Sequence, residues 1–220
     1  MVWIAYSLLF APTRILVVNA ADAQQADFIL NNDSRHIHID CIETENLKKV
    51  DSYDAIVLYG RNLYLNEEQN AVLMKAGERG TVVFTKNARS SNPQIFLNIS
   101  EQQRDTLKQY FDYGNRQNIR NGLRYLRHLA TPNHLYDQDY GKPAELPVNM
   151  FYHREYGKYF KDAGEAKAYL KAKGLYHEGA PNIAFIAGLQ FPMEGNRAHI
   201  DTLITLLGER GFNVYPLAAS

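Results

Sequence analysis

The residue types best suited to chemistry include two histidines that alternate with apolar residues. In the run HIHIDCI, His36 and His38 are two positions apart, so on a β-strand both rings point to the same side and could bind one metal ion together. The sequence places no third ligand with them, which makes a solvent-exposed pair the simpler interpretation. Cys41 falls on the opposite, apolar face of this run, where a thiol is usually buried and unreactive.

The segment after the first predicted strand, residues 19–22, is a second candidate site because parallel sheets bind ligands at the carboxyl ends of their strands. It lacks both the GxGxxG and the GxxxxGK patterns, so nucleotide binding has no support. Asp22 and Asp33 lack the acidic cluster that a receiver-type phosphoacceptor needs. No Ser, His and acid set has an informative spacing either, so we predict no catalytic residue and no metal site in this chain.

A third candidate is the aromatic and charged stretch PVNMFYHREYGKYF, residues 147–160. Loops of this composition often form an interface or the wall of a ligand site. We therefore take Tyr152, His153 and Tyr156 as ligand-binding candidates. The alternative for His153 is a structural histidine whose hydrogen bonds are satisfied inside the protein.

The elements that must position these residues alternate between short apolar runs and amphipathic stretches, which is typical of a parallel sheet with helical crossovers. We predict an α/β fold: a flavodoxin-like parallel sheet with helices on both faces, over residues 13–130. The predicted strands are residues 14–19, 36–42, 55–59, 81–85 and 94–99. Strict alternation marks 36–42 as an edge strand, and the continuous apolar run AIVLY marks 55–59 as a central one.

Helix signals fall between these strands. Asn66 and Ser100 read as N-caps, the latter with Gln103 in a capping box. A helix predicted over 118–129 places Arg120, Arg124 and Arg127 on a solvated face.

The remainder of the chain divides into a connection and a new unit. Residues 131–181 are predicted to be a linker followed by the aromatic-rich connecting segment. A strand, a helix and a strand follow at 182–187, 196–208 and 212–217, so residues 182–220 read as the start of a second α/β domain, truncated at its end.

Composition limits the partners and the cellular location. Twenty-four Lys and Arg balance 24 Asp and Glu, so no net field would hold the chain on nucleic acid. Residues 1–10 carry no charge and are almost wholly apolar, but a membrane-spanning helix needs about 20 such residues. We interpret residues 1–12 as the remnant of a membrane anchor and expect a protein anchored in the inner membrane and facing the periplasm. A buried first strand or helix is the alternative.

Three segments, in order, resemble the large subunits of the CobN and magnesium-chelatase H family. The first matches a Y-x-x-Y-G-G-x-x-N-x-x-N-x-x-x-Y-L pattern, with Tyr110, Tyr113, Gly114, Asn118, Asn121, Tyr125 and Leu126. The second matches a P-x-x-G-x-Y-H-P-D pattern, with Pro147, Tyr152 and His153. The third matches the end of a strand, a helix and the next strand, with Gly195, Asn196, Asp201, Leu203, Glu209, Gly211, Asn213, Val214 and Pro216. Gly114, Asn118, Asn121, Gly195 and Asn196 are expected to be structural.

The chain also departs from these patterns. Asn115 and Asn149 stand where the family tends to have Gly, and Arg154 with Glu155 where it has Pro and Asp. Together with the suspected anchor, this makes the chain most similar to the HmuS-type haem-utilisation proteins. The resemblance implies the amino-terminal fragment of a chelatase-type subunit that removes iron from haem.

The implied partners are a tetrapyrrole substrate, the remainder of the chain, and haem-uptake proteins or chelatase motor subunits. The fragment itself is expected to hold no cofactor and to be inactive alone. If it contacts haem, His153 is the candidate axial or edge ligand, and Tyr152 or Tyr156 is the stacking surface. Two alternatives remain: a cobalt chelatase large subunit of cobalamin biosynthesis, and a free-standing α/β ligand-binding module.

Overall fold

The computed structural model describes residues 11–33, 35–60, 63–86, 94–113, 116–132, 139–144, 149–155, 158–188 and 197–219. The chain divides into two compact units, Met1–Ala144 and Glu145–Ser220.

The first unit is built on a parallel sheet of four strands: β1 (Thr13–Val18), β2 (Ile37–Ile42), β3 (Ala55–Leu58) and β4 (Val82–Thr85). Their order is β2-β1-β3-β4, which is the flavodoxin-like order without its fifth strand. The predicted edge position of β2 and the central position of β3 are confirmed. The α/β fold class is confirmed with them.

Helices cover both faces of this sheet. They are α1 (Asp22–Ile29), α2 (Glu67–Glu78), α3 (Glu101–Tyr113) and α4 (Arg116–Ala130). Ile15, Val17 and Phe84 pack in one cluster with Phe28, Leu107 and Leu123, which lie on α1, α3 and α4. On the other face, Leu16 and Val18 pack with Leu73 of α2. The continuous apolar runs of β1 and β3 follow from this two-sided burial.

Both predicted N-caps are present. The side chain of Asn66 accepts the backbone N–H of Gln69 at 2.9 Å. Ser100 accepts the N–H of Gln103 at 3.2 Å, and the Gln103 side chain accepts the Ser100 N–H at 2.7 Å, which completes the capping box.

The predicted solvated arginine face of α4 is wrong at one position. Arg127 is buried, and its Nε donates to the carbonyl oxygen of His36 at 3.2 Å. Arg120 is exposed. The long guanidinium side chain of Arg127 reaches the start of β2 and satisfies a backbone acceptor there, which helical periodicity alone does not reveal.

The predicted fifth strand, residues 94–99, is also wrong. Only an isolated antiparallel bridge between Val83 and Leu97 forms there. The hydroxyl of Thr85 bonds both the N–H and the carbonyl of Ile95, at 3.0 and 2.9 Å. Asn98 adopts a left-handed backbone with φ of 58° and donates to the carbonyl of Thr81. Side-chain hydrogen bonds thus replace a regular parallel ladder in this segment.

The second unit contains a mixed sheet of β5 (Asn149–Tyr152), β6 (Tyr159–Phe160), β7 (Asn182–Gly188) and β8 (Asn213–Ala219). The order is β6-β5-β8-β7, with β7 parallel to β8 and β5 antiparallel to both β6 and β8. Helix α5 (Ala163–Ala172) packs Leu170 against Tyr215 on one face. Helix α6 (Ala198–Glu209) packs Ile204 against Val214 on the other.

This arrangement corrects the later part of the predicted linker and connecting segment over 131–181, from residue 149 on. Strands β5 and β6 and helix α5 are integral parts of the second unit. The two strands are short, and β5 pairs with the distant strand β8, for example Phe151 with Leu217, so the residues near β5 in the sequence do not reveal it.

The predicted anchor remnant lies largely outside the described residues, which begin at residue 11. No helix in the described part of the chain combines the length and apolar character needed to cross a lipid bilayer.

Candidate functional site

The motif asparagine Asn118 holds a loop segment, residues 139–144, onto α4. It is fully buried. Its Nδ2 donates to the carbonyl of Ala144 at 2.8 Å, and its Oδ1 accepts the N–H of the same residue at 2.9 Å. The amide side chain therefore pairs with Ala144 as a neighbouring β-strand would.

Other motif residues hold the same segment. The hydroxyl of Tyr110 donates to the carbonyl of Gly141, and burial raises the pKa of Tyr110 to about 12. The ring of Tyr125 lies 4.9 Å from that of Tyr140. Asn121, by contrast, makes its hydrogen bond within α4, where it accepts from Gln117 at 2.8 Å. We call this set of contacts to residues 139–144 the motif clamp; it is a structural arrangement.

A glycine lets the two helices that carry the clamp approach each other. A Cβ atom at Gly122 of α4 would lie 2.9 Å from the Cβ of Tyr110 on α3. A larger residue at position 122 would therefore displace the Tyr110 side chain.

The predicted candidate loop 19–22 lies at the carboxyl edge of the first sheet. Several polar groups at this edge form hydrogen bonds with one another. Asn19 adopts φ of 66°, donates to the carbonyl of Tyr59 at 3.1 Å and accepts the hydroxyl of Thr44 at 3.2 Å. The ammonium of Lys86 donates to the hydroxyl of Tyr59 at 2.7 Å. These bonds fix the loops to one another.

The two histidines of β2 have separate carboxylate partners. His36 Nδ1 lies 2.6 Å from Asp33, and His38 Nε2 lies 3.4 Å from Asp40. The hydrogen bond from His36 lowers the pKa of Asp33. Within the described residues no group of three His, Cys, Asp or Glu side chains could hold a metal ion. Burial, with the Asp40 charge, raises the pKa of Cys41 to about 11, so its thiolate is disfavoured.

The second unit contains a cavity of about 270 Å³, which we call the His153 cavity. Its large apolar lining residues are Leu170, Leu175, Ile204, Phe212 and Val214. Its polar lining includes His153, Arg154, His177, Thr205 and Glu209. The cavity lies near the carboxyl ends of α5 and α6 and the amino end of β8.

His153 follows β5 and opens the turn to β6, where its backbone N–H donates to the carbonyl of Lys158 at 3.1 Å. Its side chain is only 5% exposed. Burial lowers the pKa of His153, and the neighbouring Arg154 cation acts in the same direction. Nδ1 accepts the N–H of Glu155 at 3.4 Å, so the neutral ring carries its proton on Nε2. A ring in this tautomer is a hydrogen-bond donor through Nε2.

Tyr152, predicted as a stacking surface, is a core residue. Its ring is 2% exposed and packs with Val214 and Ile204. The hydroxyl donates to Asp201 Oδ1 at 2.6 Å. Burial and this carboxylate raise the pKa of Tyr152. With both ring faces covered, Tyr152 offers no surface for a flat ligand in this structure.

The sequence interpretation missed most of the cavity lining. His177 is fixed by Asn213, whose side chain accepts the His177 N–H at 2.8 Å and donates to its carbonyl at 3.0 Å. Arg154 donates to the hydroxyl of Thr205 at 3.1 Å. The sequence signals for this site are the composition of residues 147–160, which contain His153, and the departure from the family pattern at Arg154. Tyr156, Gly114, Gly195 and Asn196 lie outside the described residues.

Comparison with known proteins decides the family. A family profile described as CobN/Magnesium Chelatase matches residues 108–220, more than half of the chain. The chain belongs to the CobN/magnesium chelatase family. The family match includes the α4 residues of the motif clamp and every residue that lines the His153 cavity.

The fold is similar to that of a solved protein, the catalytic subunit of cobaltochelatase from Mycobacterium tuberculosis. The TM-score is 0.56 and the sequence identity 13%, over 95% of this chain. The chain spans 16% of the length of that protein. No curated protein sequence matches the chain.

Proposed function

We propose that this CobN-type chain is the amino-terminal part of a large chelatase subunit that removes iron from haem for iron acquisition. The family match over residues 108–220 carries the proposal. The resemblance to HmuS-type proteins supports iron removal in particular. It rests on the departures at Asn115, Asn149, Arg154 and Glu155 and on the suspected membrane anchor; of these residues, Arg154 lines the His153 cavity.

Within such a subunit, we assign a scaffolding role to the described residues. Removing the metal from a tetrapyrrole exchanges it for protons on the ring nitrogens, and this requires positioned acids and a metal acceptor. Pockets that bury a drug-sized ligand usually measure about 300–1,000 Å³. The His153 cavity is smaller, at about 270 Å³. A macrocycle would therefore need a cleft formed with the remainder of the chain.

The buried position of His153 bears on its proposed role as an axial or edge ligand to haem. An axial imidazole must present an unprotonated nitrogen to the iron, whereas Nδ1 of His153 accepts the Glu155 N–H. Ligation through Nε2 would require a change of tautomer and exposure of a ring that is 5% exposed. We therefore expect weak haem binding, if any, by these 220 residues alone.

A cobalt chelatase large subunit is the second candidate function. The fold similarity to the cobaltochelatase catalytic subunit over 95% of the chain favours it. The two functions differ in the direction of metal transfer, since one releases iron from haem and the other inserts cobalt into a metal-free ring.

The proposed partners are the tetrapyrrole substrate, the remainder of the chain, and haem-uptake proteins or motor subunits. We also propose attachment to the inner membrane on its periplasmic side, supported by the uncharged residues 1–10. Cell fractionation of the native protein tests this, and recovery in the cytoplasmic fraction would contradict it.

The deciding experiment incubates the full-length protein anaerobically with haem and follows metal-free porphyrin by mass spectrometry. We expect metal-free porphyrin from the full-length protein and none from the 220-residue chain. A parallel reaction supplies cobalt and a metal-free tetrapyrrole, with and without motor subunits and ATP. Cobalt insertion without iron release would replace the first function by the second, and neither activity would refute the chelatase proposal.

A further inference from the structure

Two oppositely charged, solvent-exposed side chains line the His153 cavity. Arg154 and Glu209 both line it. Arg154 bonds the uncharged hydroxyl of Thr205, and neither residue has an ion-pair partner in the described part of the chain. The cavity thus presents one cation and one anion together.

This pair of opposite charges favours a ligand that carries one positive and one negative group and so has no net charge. A simple anion would pair with Arg154 but face the Glu209 carboxylate, and a simple cation would meet the reverse problem. A ligand carrying both an ammonium and a carboxylate can satisfy both side chains, since charge-assisted hydrogen bonds are stronger than neutral ones.

The other lining residues indicate the chemistry of the rest of the ligand, apart from its two charged groups. Leu170, Ile204 and Val214 are buried apolar lining residues, and Phe212 also lines the cavity. They favour an apolar side chain, because its transfer from water is favourable. His153 adds a hydrogen-bond donor that is nine-tenths buried, its Nδ1 being occupied by the Glu155 N–H. A volume of about 270 Å³ suits a small molecule.

We propose that the His153 cavity binds a free α-amino acid with an apolar side chain, its carboxylate at Arg154 and its ammonium at Glu209. The site is independent of metal exchange, so it can be tested on the 220-residue protein whatever the outcome of the chelatase assays.

The test is calorimetric titration of the protein with L-leucine and L-phenylalanine. We expect dissociation constants between about 10 μM and 1 mM. Three probes each lack one feature: L-leucinamide lacks the carboxylate, 4-methylpentanoate lacks the ammonium, and L-serine lacks the apolar side chain. Each should bind about tenfold more weakly or worse, since one charge-assisted bond contributes about that factor.

Variants locate the site. Arg154→Met and Glu209→Gln should each weaken leucine binding about tenfold, whereas the matched exposed controls Arg120→Met and Glu68→Gln should leave it unchanged. Gly208 also lines the cavity, and a Cβ placed there meets open space. Gly208→Met should therefore fill the cavity and abolish binding while the protein stays folded.

Three results would overturn the proposal. The first is no binding of either amino acid below about 10 mM. The second is binding of 4-methylpentanoate or L-leucinamide as tight as that of L-leucine, which would show that the site recognises only one of the two charges. The third is undiminished binding to a folded Gly208→Met protein, which would place the ligand elsewhere.

Discussion

Replacing Asn118 by Ala should release the motif clamp and leave the rest of the first unit folded. The substitution removes both hydrogen bonds to Ala144, at 2.8 and 2.9 Å, from a fully buried position. Both partners are backbone groups, so they lose their pairing unless the segment moves out to water. The first effect is therefore local opening of residues 139–144.

The magnitude follows from these two bonds. Each buried hydrogen bond contributes about 0.5–1.5 kcal/mol, so the pair contributes about 1–3 kcal/mol. Replacing Asn by Ala within a helix returns about 0.5 kcal/mol of helix propensity. We expect a net loss of about 0.5–2.5 kcal/mol. Asn121→Ala is the matched control, because it gains the same helix propensity and the hydrogen bond that it removes, from Gln117, lies within α4.

The assay is amide hydrogen exchange at Ala144, combined with urea denaturation. Local opening of residues 139–144 leaves α4 helical, so the contribution of about 1–3 kcal/mol from the two bonds sets the effect: in the Asn118→Ala protein the Ala144 amide should exchange faster by a factor of about 5 to 150. In the Asn121→Ala protein it should stay protected. Unchanged protection of Ala144 after Asn118→Ala would show that the clamp does not hold the segment and would refute the reasoning.

Three further predictions concern the second unit. Gly208→Ala should stabilise α6 by about 0.8–1 kcal/mol in thermal denaturation, since its Cβ meets open space; a lower melting temperature would contradict this. Ile186 is 76% exposed on the edge strand β7, so Ile186→Lys should reduce self-association in light scattering without loss of stability. Burial lowers the pKa of His153, so the unfolded state binds its proton first as the pH falls below about 6.5. Stability should drop there, and His153→Gln should flatten that slope in urea titrations; an unchanged slope would contradict the assignment.

The parts of the fold that the sequence predicted correctly depend on local signals. The alternation in residues 36–42 identified an edge strand, and the caps at Asn66 and Ser100 marked two helix starts within a residue of their observed positions. These signals arise from the side-chain period of a strand and from unpaired N–H groups at a helix end.

The parts that failed depend on distant partners. Residues 94–99 have strand composition, but the hydroxyl of Thr85 bonds both backbone groups of Ile95. Strand β5 exists because it pairs with β8. Composition predicts neither, since β propensity reflects the neighbours that a strand meets in the fold.

In the candidate site, too, local composition predicts part of the arrangement, and contacts with distant residues determine the rest. The aromatic and charged composition of residues 147–160 predicts a ligand site, and this stretch does contribute His153 and Arg154 to a cavity. The aromatic ring chosen for stacking, Tyr152, is instead buried, with its hydroxyl on Asp201. Composition located the segment, but the direction of each side chain depends on the β5–β8 pairing.

The position of Arg154 connects the sequence departures with the proposed amino-acid site. The related family pattern has Pro at this position, and proline carries no cation. A relative with that proline keeps a Glu-lined cavity but loses the group that would hold a carboxylate, so we expect it not to bind a zwitterion. The motif clamp does not involve position 154 and should be common to both. The clamp would then belong to the shared scaffold of the family, whereas the Arg154 cation at the His153 cavity would distinguish this chain from such a relative.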